Sequence, residues 1–188
     1  MVWPYSFLMT FVHAIGDLCA RLERGDMPLP PFLLSIVRLT TDHIPCSRAA
    51  LWVFEESAHG RRLRCIAMHD RGRGESVRVP DEVGGAVTDY FRSLKLSGHI
   101  VAEDVQANPI TSALFLQRAS SVKSLLGVPL SVNGETFGTL ACTQLGDIRR
   151  WTASELSALR LASAKLSLSV SNVTRHATLT QPAPLSTL

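Results

Sequence analysis

Asn133-Gly134, flanked by apolar runs within Ser124 to Cys142, constrains this 188-residue chain more than any other feature. A two-residue type I′ turn needs positive φ at both central positions, and Asn-Gly supplies it, so two antiparallel strands are expected to meet here. Shortly after them, Thr152 and Glu155 have the spacing of a capping box, in which the hydroxyl and the carboxylate each take a backbone N–H at a helix start. The helix that follows is long. Leu156, Leu159, Leu166, Val170 and Val173 keep a three-and-four spacing with Ser163 as its one polar member, and Leu161, Ala164 and Leu168 lie on the opposite side.

Upstream, Leu8, Phe11, Ile15, Leu18 and Leu22 recur at the same spacing, which predicts an N-terminal amphipathic helix ending near Gly25. Met-Pro-Leu-Pro-Pro (27 to 31) follows as a stiff break, because each proline fixes its own φ and moves the preceding residue out of helical geometry. From Phe32, the residues Leu33, Ile36, Val37 and Ile44 describe a helix closed by Pro45, and Ala49–Glu55 and Leu63–Met68 form the first hairpin around a Gly60-containing loop. Helices are expected over Val83–Leu96 and Ile110–Ala119. The expected division is a helix over 1–25, a Pro-rich break over 26–31, one domain with its exit helix over 32–174, and a flexible tail or linker over 175–188.

The formal charge of +3 rests on 16 Arg and only 3 Lys. Arg61, Arg62, Arg64, Arg71, Arg73 and Arg78 cluster between two expected strands, interrupted by Asp70 and Glu75, and read as a solvated hairpin loop. Without aromatic interleaving or a reading helix, no nucleic-acid binding is expected. Cys19, Cys46, Cys65 and Cys142 have neither zinc-ligand nor disulfide spacing, so reduced thiols in a cytoplasmic protein and no metal are expected. The apolar start lacks a basic residue before it and contains His13 and Asp17, which argues for a soluble helix over a signal peptide or membrane span. No nucleophile elbow, phosphate loop or zinc-protease helix occurs, and the six histidines are dispersed, so no enzymatic activity is expected.

Three segments appear in order: His-Ile-Val-Ala-Glu-Asp-Val (99 to 105), Ser-Leu-Leu-Gly-Val-Pro-Leu-Ser-Val-Asn-Gly-Glu-Thr-Phe-Gly-Thr-Leu-Ala-Cys (124 to 142), and Arg-Arg-Trp-Thr-x-x-Glu (149 to 155). Their order and spacing resemble the GAF domain family, whose members are small-molecule sensors of signalling proteins such as histidine kinases and diguanylate cyclases. The resemblance implies an α+β fold with a central antiparallel sheet of about six strands, helices on both faces, and N- and C-terminal signalling helices. It also implies a pocket between the sheet and the helices around 83–96 and 110–119, with Trp52, Asp104, Phe115, Arg118, Val128, Cys142 and Gln144 as the expected ligand-binding residues. Asp104 has a second reading, as the cap of the helix that follows it.

The ending Arg-x-Trp-Thr-x-x-Glu is most similar to the phytochrome-like branch. The Cys-His pair that binds its chromophore is missing from 110–119, so no covalent bilin is expected. The glycine-rich segment 79–87 lacks the cysteines of the methionine-sulfoxide-reducing branch, and Gln144 to Trp151 lacks the acidic signature of the cyclic-nucleotide branch. The ligand is not legible. The resemblance implies a regulatory sensor in a bacterial signal-transduction protein, acting as a homodimer through Leu8, Phe11, Ile15, Leu18, Leu22, Leu159, Leu166, Val170 and Val173, with a kinase or cyclase as possible output module. Two alternatives stand beside it: a ligand-free dimerisation scaffold whose pocket is filled by side chains, and a heme or thiol redox sensor using His99 or His69 as axial ligand or Cys142 as the oxidised thiol, with heme the less favoured.

Overall fold

A computed structural model describes residues 5–58, 60–75, 82–115 and 121–180. The chain runs α1 (Tyr5–Glu23), α2 (Leu29–His43), β1 (Arg48–Ser57), β2 (Gly60–Asp70), β3 (Gly74–Glu75), β4 (Glu82–Val83), α3 (Gly85–Ser97), β5 (Ile100–Ala102), α4 (Pro109–Phe115), β6 (Val122–Val132), β7 (Glu135–Leu145) and α5 (Ala153–Thr180). All strand pairs are antiparallel, in the order β3-β2-β1-β7-β6-β5 with β4 also on β2. Five strands of three or more residues carry the sheet. The expected number was about six; β3 and β4 each add a two-residue pairing to β2.

The central hairpin turns at Asn133 (φ 52°) and Gly134 (φ 80°), the positive pair a type I′ turn requires. At the start of α5 the capping box is closed in both directions: Glu155 N donates to Thr152 Oγ1 at 3.2 Å, and Thr152 N donates to Glu155 Oε2 at 2.8 Å. The helix backbone continues past the expected end at Arg175 to Thr180, just before the Gln181-Pro182 pair that disfavours helix. Residues 181–188 of the expected tail lie outside the described residues.

α1 stops in a Schellman arrangement, with Asp26 N on Arg21 O, Gly25 N on Leu22 O, and Gly25 at φ 77°. α2 then begins at Leu29, three residues before the expected start at Phe32. Pro30 and Pro31 fall in its first turn, where the N–H groups they lack would have no helical partner.

The two helical seams meet inside one chain. Phe11, Ile15, Leu22, Leu159 and Leu166 are buried in a single cluster, with Leu18, Val170 and Val173 packed against it, so the two seams pack into the chain's own core. The Leu8 side chain lies outside the described residues. Gly16 faces Lys165 and Glu23 accepts from Ser169 Oγ at 2.7 Å, so α1 and α5 run in the same direction. The cluster includes α2 and one sheet face, through Ala49, Leu51, Leu126, Val128, Leu130, Leu140 and Cys142. α3 and α4 cover the opposite face with a smaller cluster of Tyr90, Leu94, Ile100, Ala102, Val105, Val122 and Leu125.

Ser163, the polar exception in the α5 seam, closes the free edge of β6. Strand β5 pairs with β6 only over Leu125–Gly127. Beyond that point Ser163 Oγ donates to Pro129 O, Ser131 N donates to Ser167 Oγ at 3.1 Å, and Pro129 has no N–H to leave unpaired.

Candidate functional site

The face covered by α3 and α4 is the candidate site, and its centre is occupied by Tyr90. This residue is 1% exposed. Its place on α3 follows from helical spacing, since Val87, Tyr90 and Leu94 form the buried stripe of the helix. The phenol hydroxyl lies over β6 at Gly127, where a Cβ would come within 2.5 Å of it. Gly127 does not have a positive φ, so its glycine is explained by space and not by conformation.

Beside Tyr90 stands Thr139 of β7. Thr139 is fully buried and its hydroxyl donates to Val128 O at 2.9 Å. Its one proton is used there, so it has none to give to the Tyr90 hydroxyl. Burial pushes the Tyr90 hydroxyl up to about 12, and the group stays neutral at physiological pH. Phe54 of β1 lies 6.4 Å from the Tyr90 ring and 5.0 Å edge-on from Phe91, and the Arg61 guanidinium stands 3.6 Å over Phe91.

Of the seven expected ligand-binding residues, the structure sets two beside this face. Phe115 packs against its cluster from α4. Asp104 is half-buried in the turn before α4, where Oδ1 accepts from Gln106 N at 2.9 Å. The capping role considered for Asp104 falls to Asn108, whose Oδ1 accepts from Ile110 N at 3.0 Å and Thr111 N at 3.2 Å.

Val128 and Cys142 lie on the opposite side of the sheet, in the core under α1, α2 and α5. The reason is strand alternation: Val128 is paired with Leu140, and Cys142 follows two residues later on the same face. Trp52 is half-buried beside the bulge that Ile66 makes in β2 and belongs to neither cluster. Gln144 lines a crevice of about 370 Å³ at the end of the sheet, with Cys46, Asp70 and Arg71. Arg118 lies outside the described residues.

Sequence reasoning did not single out Tyr90, Gly127, Thr139 or Asn108 as site residues. The available signal was Gly127, an isolated glycine in a strand pattern, which marks a close approach by a neighbouring group.

The groups of the redox alternative lie elsewhere. His69 bonds through Nδ1 to Thr41 Oγ1 of α2 at 2.7 Å, and His99 Nδ1 lies 3.2 Å from Arg160. A hydrogen bond with Cys46, and then burial, push the Cys142 thiol well up, which disfavours the reactive thiolate. Among the described residues no group of three His, Cys, Asp or Glu side chains is placed to hold a metal ion. No described helix is long and apolar enough to cross a membrane.

The segment from Arg149 to Glu155 is a structural fastening. Arg149 Nη2 pairs with Glu155 Oε1 at 2.6 Å, Nη1 donates to Pro45 O, and the guanidinium lies 4.2 Å over Trp151. The Arg149 N–H donates to Ser124 Oγ at 2.8 Å, and Ser124 Oγ donates to Glu103 O at 2.6 Å. A continuous chain of hydrogen bonds therefore leads from the loop between β5 and α4 to the first turn of α5.

A model of the GAF domain family matches residues 29–170. Among solved structures, the fold is similar to the phycocyanobilin-bound GAF domain of a cyanobacterial phytochrome, with 15% identity, TM-score 0.71, and 93% of this chain and 98% of that one covered. It is also similar to the blue-light absorbing form of the Thermosynechococcus elongatus PixJ GAF domain (15% identity, TM-score 0.67, 80% and 89% covered). A third similar structure is the GAF domain of a phosphoenolpyruvate-protein phosphotransferase from Coxiella burnetii (13% identity, TM-score 0.63, 91% and 96% covered). The curated proteins contain no match.

Proposed function

This chain belongs to the GAF domain family, and from that premise we propose that it is a regulatory sensor domain, binding a small molecule on the α3 and α4 face and passing the signal through α5. The observation that carries the reading is the hydrogen-bond chain from Glu103 through Ser124 and Arg149 to Glu155. A ligand that shifts the loop before α4 acts on the start of the exit helix through it, which gives two sites and a physical link between them. Family membership, and similar folds that include a phycocyanobilin-bound domain and a blue-light absorbing one, support a sensor or regulatory role. The ligand is bound non-covalently, since the helix before β6 offers no Cys-His pair.

The working unit in this proposal is a homodimer in a cytoplasmic bacterial signalling protein, with a kinase or cyclase module as output. Because the α1 and α5 seams are used internally, the dimer forms through the outer side of α5. There Leu161 is 46% exposed and Leu168 60% exposed, with exposed Ala164 between them.

Native mass spectrometry of the purified chain against its denatured mass tests this reading. A dimer with additional non-covalent mass supports it and names the ligand class; a bare monomer that gains no melting temperature with any metabolite overturns it. A second reading, a scaffold whose pocket is filled by its own side chains, is favoured by the fully buried Tyr90. A bare dimer supports that one.

A further inference from the structure

We propose that the crevice at the end of the sheet is a binding site for a small monocarboxylate, with Arg71 as its cation. The inference goes beyond the sensor reading, because this crevice stands as a site whether or not the α3 and α4 face takes a ligand.

Its walls are fixed by the chain before anything enters. Ser47 N donates to Thr143 O at 3.1 Å, Arg71 N donates to Ser47 O at 3.0 Å, and Leu145 N donates to Ser47 Oγ at 3.0 Å. These bonds tie the ends of β1, β2 and β7 together around a space of about 370 Å³. A preformed space of this kind needs no ordering when a ligand enters.

Donors are left over in that lining. Arg71 uses a guanidinium N–H on Thr41 O at the end of α2, and among the described residues no carboxylate pairs with it. Ser47 Oγ accepts from Leu145 N, and its own proton has no acceptor among the described residues. The Gln144 side chain bonds through Nε2 to Leu145 O at 3.3 Å, which leaves its second N–H and its carbonyl oxygen. A planar guanidinium beside neutral donors matches a carboxylate, which it can take through two parallel N–H bonds.

Asp70 limits the charge of the occupant. Its carboxylate belongs to the same lining, is 4% exposed, and is held by Arg48 Nε and Gly72 N. Arg71 is therefore balanced by one negative charge from outside, whereas a dianion such as sulfate meets the Asp70 carboxylate at close range. Pro45 of the lining accepts from Arg149, which pairs with Glu155, so an occupant sits against the fastening of α5.

Sodium lactate, titrated into the isotope-labelled full chain at constant ionic strength and followed by NMR, tests the site. Saturable shifts are expected at the amides of Ser47, Gly72 and Leu145, with none from lactamide, the neutral analogue, and weaker binding of sulfate. Arg71→Gln is expected to abolish them. Arg71→Lys keeps the charge without the planar fork and is expected to weaken binding about tenfold. Shifts that do not saturate, equal shifts from lactamide, tighter binding of sulfate, or unchanged binding in Arg71→Gln overturns the proposal. If Arg71→Gln does not fold, because Thr41 O has lost its donor, Arg71→Lys decides alone, and wild-type affinity in it overturns the proposal.

Discussion

Leu140 and Cys142 of β7 enter a core shared by three helices, whereas Thr139, one residue away, meets a phenol hydroxyl on the other side of the same sheet. The first face is held by apolar packing among Phe11, Ile15, Phe32, Ile36, Leu159 and Leu166, all at most 1% exposed. The second is covered by α3 and the seven-residue α4, and its centre combines the Tyr90 ring over Gly127 with the buried Thr139 bond to Val128 O. One face therefore resists change through many interchangeable contacts. The other depends on a few specific ones, which is the arrangement a recognition surface needs.

The largest expected effect separates the faces by packing alone. Phe11→Ala removes a fully buried ring from the three-helix core and is expected to cost about 3–5 kcal/mol in urea unfolding. A cost below about 1 kcal/mol would mean that α1 does not pack on α5 in solution, and the contrast between the faces would collapse.

An acid titration sharpens the comparison next. Burial alone would raise the Asp70 carboxyl, but Arg48 and the amides of Gly72 and Arg73 outweigh it and hold the group below its ordinary value of 3.8. A depressed folded pKa contributes stability above the unfolded value and loses it as pH falls through the folded one. Acid should therefore loosen the corner where β1 and β2 meet α2, which Arg71 and His69 also fasten through Thr41. Tyr90 is neutral throughout this range and should not respond. Hydrogen exchange measured from neutral pH down to about pH 3 is expected to show protection lost at α2 before α3. Asp70→Asn should be less stable at neutral pH and flatter in acid; a curve parallel to the wild type would remove Asp70 as the cause.

On the second face, Tyr90→Phe keeps the ring and deletes only the hydroxyl. The expected loss is about 1 kcal/mol, since the ring stays and only the hydroxyl's contact over Gly127 is lost. A loss near zero in thermal or urea unfolding would show that ring volume alone holds α3.

Local signals were legible in the sequence. Asn133-Gly134 and Thr152 with Glu155 each specify a backbone geometry within a few residues, and both occur as expected. Period-two alternation, which puts Val128 and Cys142 on one side of the sheet, is legible as well. Which side faces which helices was not, because both faces of a covered sheet are apolar and the choice is made by tertiary packing. The same limit applies to the α1 and α5 seams: their spacing predicts partners without saying that each is the other's partner. Tyr90 was hidden for a different reason, since a helical stripe reads the same whether it fills a core or occupies a recess.

The smallest expected effect concerns the junction of the two layers, where Ser163 donates to Pro129 O at the β6 edge. Losing that bond in Ser163→Ala costs about 1 kcal/mol. Alanine is the better helix former by a few tenths of a kcal/mol, which offsets part of the loss. The net change in urea unfolding should thus be about 0.5 kcal/mol, below that of Tyr90→Phe. The distinguishing signature is local: hydrogen exchange should rise at Ser131, whose N–H reaches the neighbouring Ser167, and stay unchanged at Thr139 on the other side of the hairpin. Faster exchange at both positions would mean that the β6 edge and the face under α3 open as one unit, and the two faces of the sheet would no longer count as separately held.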